Sequence, residues 1–273
     1  MKKALFIFLI TCSLLVTELG AQTRKRTFRQ HEVGLMIGGS YYIGDLNPRK
    51  HFFLSQPAIG VLYRFTPNYR YAFRGGVNFG SVMGDDSQTS EPDQLQRNLN
   101  FKSNITEFHV MAEFNFLDYR ISNAKHKFSP FLFLGLSVFH FKPRANYNNY
   151  WVDLQPLRTE GEARRYKLTQ ISIPFGIGIK MNVSKQVGLG LEWGPRKTFT
   201  DYIDDVSGVY PDPSKAFTGH NLSAILSDRS KNAGNNIDEQ RGNPVTKDWY
   251  FFFGLTLNIK INPQPPPCHA YDH

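Results

Sequence analysis

Eight stretches of this chain alternate residue character with a period of two, which restricts the chain to β-sheet with two chemically different faces. In the stretch beginning at Val187, the side chains of Val187, Leu189, Leu191 and Trp193 point one way. Gly188, Gly190, Glu192 and Gly194 point the other. The remaining stretches are 31–42, 57–65, 69–83, 105–116, 130–141, 168–181 and 249–261. In 105–116, Phe108, Val110, Ala112, Phe114 and Phe116 share one face, and Glu107, His109, Glu113 and Asn115 share the other. Segment 130–141 is apolar on both sides, so its facing stays open.

Alternation alone fits both a soluble sandwich and a membrane barrel, and the connections separate the two. Segments 43–56, 84–104, 142–167 and 197–248 are long, 117–129 is moderate, and 66–68 and 182–186 are short. Short turns on one side and long loops on the other are the pattern of an outer-membrane barrel, and strands of roughly 9–11 residues suffice to cross a bilayer at a tilt. Tyr41, Tyr63, Tyr69, Trp193, Trp249 and Tyr250 lie near strand ends, where aromatic girdles meet headgroups. The expected fold is an all-β, eight-stranded antiparallel transmembrane barrel over residues 31–261.

The face opposite the apolar one carries Arg64, Arg74 and Lys180 together with Glu107, Glu113 and Glu192. An eight-stranded barrel is only wide enough inside for side chains. Charges aimed there must pair, because an unpaired buried charge is costly. These six residues are the expected interior charges, and a filled lumen is expected rather than a wide pore.

The ends of the chain read differently. Lys2 and Lys3 precede the apolar run 4–16, and Leu19-Gly20-Ala21 closes it, as in a secretory signal peptide spanning 1–21. The run is too short to cross a bilayer as a helix, which takes about 20 apolar residues. A lipoprotein-type signal at Cys12 is the weaker alternative, since Thr11 stands where a small residue is needed. Residues 22–30 form a short basic segment. Cleavage after Ala21 takes away two lysines and one glutamate, lowering the formal charge from +9 to +8. In an exported chain that balance suits anionic headgroups or acidic partners, and no basic stripe interleaved with aromatics points to nucleic acid. The tail 262–273 holds Pro263, Pro265, Pro266 and Pro267 and is expected to leave the sheet as an extended periplasmic arm. Cys268, the one cysteine left after cleavage, is either an idle thiol or a bridge to another chain.

Neither catalytic residues nor metals nor cofactors are expected. Glu107 and His109 share a face and invite an acid–base reading, as in a lipid-modifying barrel, yet an interior salt-bridge and hydrogen-bond network is the better account of them. The chain has no Gly-x-Ser-x-Gly elbow. Asp201, Asp204, Asp205 and Asp212 suggest calcium, but their spacing lacks the glycine and bidentate glutamate of a calcium loop. Cys268-His269 with His273 is too thin a ligand set on a terminal tail.

One set of motifs carries a family resemblance. Glu32-Val33-Gly34, Gly38-Gly39, the run Tyr41 to Asn47, Glu113-Phe114-Asn115-Phe116, Phe128-Ser129-Pro130-Phe131 and the run Thr198 to Ser207 occur in that order. Together they resemble the PorG-like outer-membrane barrels of the type IX secretion system. The resemblance implies a non-enzymatic outer-membrane component that links a periplasmic ring lipoprotein and its ring partner to the membrane. A generic small outer-membrane barrel or channel is the alternative. Cys268 is the expected partner contact, through an intermolecular disulfide. Asp201, Tyr202, Asp204 and Asp205 form the acidic motif, which the turn rhythm puts on the outer side, where bracing or plugging the barrel suits it better than gripping a ring.

Overall fold

The computed structural model describes residues 29–122, 127–212 and 221–261. The expected signal segment, the Pro-rich tail and Cys268 lie outside them. Nine strands form: β1 Gln30–Ile43, β2 Gln56–Thr66, β3 Tyr71–Asp85, β4 Asn100–Asn115, β5 Phe128–Tyr147, β6 Tyr150–Asp153, β7 Thr169–Asn182, β8 Val187–Thr198 and β9 Trp249–Lys260. Eight correspond to the alternating stretches. The ninth, β6, is a four-residue ribbon on the end of β5, inside what the sequence presents as a long connection.

Every neighbouring pair is antiparallel, in the order β4-β3-β2-β1-β9-β8-β7-β5, and β4 pairs with β5 to close the ring. Closure leaves the eight long strands without a free edge, so every wall strand is hydrogen-bonded on both sides. β4 starts at Asn100 and β5 runs on to Tyr147, both beyond their alternating cores, so this side of the barrel projects furthest at the long-loop end.

The polarity is inside out. Val110, Leu136 and Ile171 are 68%, 70% and 61% exposed on the outer wall, whereas Arg64, Arg74, Glu107, Glu113 and Lys180 are buried within. A water-soluble protein hides the first set and exposes the second, and a wall in hydrocarbon does the reverse. β5 shows which way its two apolar faces point. Leu132, Leu134, Leu136 and Val138 face out, and Phe131, Phe133, Phe139 and Phe141 fill the interior.

Two residues depart from the expected girdle. Tyr250 sits at an even position of β9, so it points inward and is fully buried. Tyr41 does face outward, but the β1–β2 loop covers it. Its hydroxyl meets His51 Nδ1 at 3.0 Å and accepts from Trp193 Nε1 at 2.9 Å, and its ring stacks on Phe251 at 4.4 Å.

The largest buried apolar cluster, including Tyr42, Phe101, Phe139, Phe141, Ile203, Val206 and Phe252, lies at the long-loop end. There the β8–β9 connection turns back over the barrel mouth, which explains why the interior of that half is aromatic.

Candidate functional site

Two layers of charge fill the lumen. Toward the short-turn end, Glu113 of β4 collects Arg64 at 2.8 Å, Lys180 at 2.5 Å and Arg74 at 3.3 Å. Arg64 also holds Glu32 of β1 at 2.8 Å, and Arg74 reaches Glu192 of β8 at 2.5 Å. In the second layer Arg196 of β8 meets Glu107 of β4 at 3.0 Å, and Tyr250 donates to the same carboxylate at 2.8 Å. Asn78 donates to Glu107 at 2.9 Å, and His109 Nδ1 lies 3.3 Å from it.

All six charges expected in the interior lie there, five of them gathered around Glu113 and the sixth, Glu107, in the second layer with Arg196. The structure adds Glu32 and Arg196, which bring the interior set to four cations and four carboxylates. Aromatic faces cover the cations. Phe133 lies 5.1 Å from the Arg74 guanidinium, Phe131 4.2 Å from the Lys180 ammonium, and Phe252 4.8 Å from Arg196. Glycine makes room for these rings. A Cβ on Gly176 or Gly194 would fall 2.5 Å from the Phe133 ring. His109 is buried among these groups, so the Glu107–His109 pair belongs to the packed interior.

The acidic motif closes the mouth above this network. Asp204 accepts from the Tyr42 hydroxyl and, at 2.9 Å, from the Val206 amide. Asp248, one residue before β9, accepts from the Ile203 amide at 2.9 Å and stands 3.3 Å from the same Tyr42 hydroxyl. Asp205 accepts from Thr159 and, at 2.5 Å, from Tyr166, whose ring stacks on Tyr202 at 4.5 Å. Asp205 adopts φ +66°, a left-handed conformation aspartate tolerates better than most residues. Asp201 accepts from Ser207 at 2.7 Å. Arg241 ties the loop to the β5–β7 connection through Glu160 at 2.9 Å and donates to the Asp205 carbonyl at 2.7 Å.

Burial dominates the electrostatics of the cap. It pushes the Asp205 carboxyl up to about 7 and Asp45 up to about 6. Asp204 and Asp248 are raised well above the usual carboxylate range, first by burial and then by neighbouring carboxylates. Among the described residues, no group of three or more His, Cys, Asp or Glu side chains is arranged to hold a metal ion. The cap is instead tied by hydroxyl and amide donors.

A closed barrel with an apolar outer wall, a charge-paired lumen and a folded cap defines a small transmembrane β-barrel of the filled type. The chain belongs to the family described as "Domain of unknown function (DUF6089)", whose profile matches residues 4–228. No functionally curated protein matches it. Among solved structures it is similar to Ail, the attachment invasion locus protein of Yersinia pestis, in complex with the heparin analogue sucrose octasulfate. That likeness has 8% identity over 85% of this chain and 99% of that one, with a TM-score of 0.42. It is also similar to Neisserial surface protein A at 8% identity, covering 85% and 97% of the two chains with a TM-score of 0.39. A major outer membrane protein from Thermus thermophilus aligns at 10% identity, over 85% and 99%, with a TM-score of 0.40.

Proposed function

We propose that this protein is a small outer-membrane barrel with a filled lumen, a fixed attachment element in the membrane rather than an enzyme or a conduit. The observation that carries this reading is the contact between Arg74 and Glu192. β3 and β8 lie four strands apart in a ring of eight, so the pair bridges the full width of the lumen at 2.5 Å. Tyr250 and Glu107 do the same from β9 to β4 at 2.8 Å. A conducting channel needs a continuous water path, and both layers and the cap occupy that space. In this reading the short turns, the start of β1 and the end of β9 face the periplasm and the cap faces outward.

The finer reading is a component of the type IX secretion machine, in which a periplasmic ring lipoprotein and its ring partner engage the periplasmic face and Cys268 forms an intermolecular disulfide. The ordered motifs support it by resemblance. One observation favours the coarser reading, a generic small barrel: the motif runs 41–47 and 198–207 contact each other through Tyr42 and Asp204, so building the cap accounts for them without any partner.

Planar-bilayer recording tests the first claim. No unitary conductance is expected, and regular ion steps from the purified full chain would overturn it. Deletion of the gene tests the second, with loss of cargo export and an intact membrane expected. Membrane extracts run with and without reductant test the thiol. A band at monomer mass in both would remove Cys268 from the proposal.

A further inference from the structure

The outer wall is chemically lopsided in a way the filled lumen does not explain. On the outward positions of the barrel strands, Lys and Arg occur at Lys102 of β4, Lys142 and Arg144 of β5, and Lys197 of β8, all at the long-loop end. Three of the four stand together on β4–β5. Lys102 and Arg144 are direct cross-strand partners, a like-charge pairing that is destabilising unless something neutralises it. Two carboxylates stand near these cations: Asp153 of β6, opposite Arg144, pairs with Lys142 at 2.6 Å, and Asp85 ends β3 two residues beyond Met83, the cross-strand partner of Lys102.

Beneath the cations the wall changes in register. Thr106, His140 and Thr169 form one row across three strands, with His140 Nδ1 3.0 Å from Thr169 Oγ1. The next row down is fully apolar. A groove of about 860 Å³ opens there, lined by Val77, Phe108, Val110, Leu136, Val138 and Ile171. At Gly75 a side chain is missing from the outward face, and a Cβ there would approach only the His109 carbonyl oxygen, at 3.8 Å. Lys142 and the Lys102–Arg144 pair lie two and four residues beyond the polar row, roughly 7 and 14 Å along the strands. That is the order of groups in a phosphorylated amphiphile: acyl chains, a polar linkage, then phosphate.

We propose that the β4–β5 wall at the long-loop end binds one phosphorylated lipid of the outer leaflet, with acyl chains in the groove and a phosphate bridging Lys102 and Arg144. A phosphate there accepts charge-assisted hydrogen bonds from the Lys102 ammonium and the Arg144 guanidinium and removes their mutual repulsion. Placement in a membrane is the earlier reading on which this rests.

The test uses the full chain in detergent micelles with diphosphorylated lipid A as probe, and counts lipid adducts by native mass spectrometry. The wild type is expected to retain lipid A in preference to phosphatidylcholine. The double substitution Lys102→Gln with Arg144→Gln should lower retention about tenfold, and Lys197→Gln should leave it unchanged. Both target side chains lie on the outer wall, and flotation with phosphatidylcholine vesicles checks that each variant still inserts. Equal retention by the double variant overturns the site, as does displacement of lipid A by excess inorganic phosphate, which would make this a free-anion site. Failure of the wild type itself to float overturns the membrane reading instead.

Discussion

Arg74 and Glu192 come from opposite walls of the barrel and meet at 2.5 Å with almost no exposure to water. Their pairing makes the lumen a solid. Removing one partner of a buried ion pair leaves the other uncompensated, at a cost of about 3–5 kcal/mol, whereas replacing both with apolar groups of similar size is close to neutral. Glu192→Ala is therefore expected to destabilise the protein in vesicles more than Arg74→Met combined with Glu192→Met. Urea unfolding followed by tryptophan fluorescence reads both. A double variant as unstable as the single would show that the pair is not acting as a unit.

The Tyr42 hydroxyl stands between Asp204 and Asp248. Tyr42→Phe keeps the ring but takes away the donor, leaving buried acceptors unsatisfied at a cost of about 1–3 kcal/mol. The expected result is faster protease cleavage in the connection between β8 and β9 with the barrel intact in the membrane. Cleavage at the wild-type rate would mean that the remaining ties, from the Val206 and Ile203 amides to Arg241 and Tyr166, hold the loop without it.

Acidity should tighten the cap. With Asp205 titrating at about 7 and Asp45 at about 6, both raised by burial, the folded protein holds protons that unfolded aspartates release near pH 3.9. The folded state binds more protons across that window, so its stabilisation is complete below about pH 4 and is lost as pH rises through 6 to 7. Amide hydrogen exchange of residues 201–207, corrected for intrinsic rates, should show protection falling from pH 4.5 to 8. Asp205→Asn should flatten the upper part of that slope, and an unchanged slope would place the titration elsewhere.

The outward face of β5 can be tested with one residue. Leu136, 70% exposed at mid-wall, should lose about 2–4 kcal/mol on substitution by lysine when unfolding is measured in vesicles. A change below 1 kcal/mol, taken as about the value near the interface, would move the apolar belt away from this position.

These positions also mark how far the sequence could be read. Wall strands are local objects, and period two exposed them wherever the two faces differ in polarity. It failed to orient β5 because neither face is polar: inside, Phe139 and Phe141 pack under the cap, and Phe131 and Phe133 cover Lys180 and Arg74. Arg196 escaped for a related reason. Its strand continues through Gly194-Pro195 to Thr198, past the point where apolar alternation stops. Glu32, third in β1, stands before the apolar alternation of that strand begins, and only the register that sets it opposite Arg64 reveals the pair. The cap was the least legible part, because its contacts join residues far apart in the chain. Nothing local to Thr159, Tyr166 or Asp248 announces that they serve the acidic motif.

The seam between β1 and β9 gives that cap a place in time as well as in space. Tyr42 faces Tyr250 across the seam, two residues from Asp248, while Asp204 arrives from 162 positions away in sequence. The hydroxyl and the two carboxyls can come together only once the first and last strands have zipped. A chain stalled before that step carries charged aspartates with no donor, which are costly to bury, and its mouth stays open. The cap thus works as a completion latch, locking only a barrel whose ends have already met.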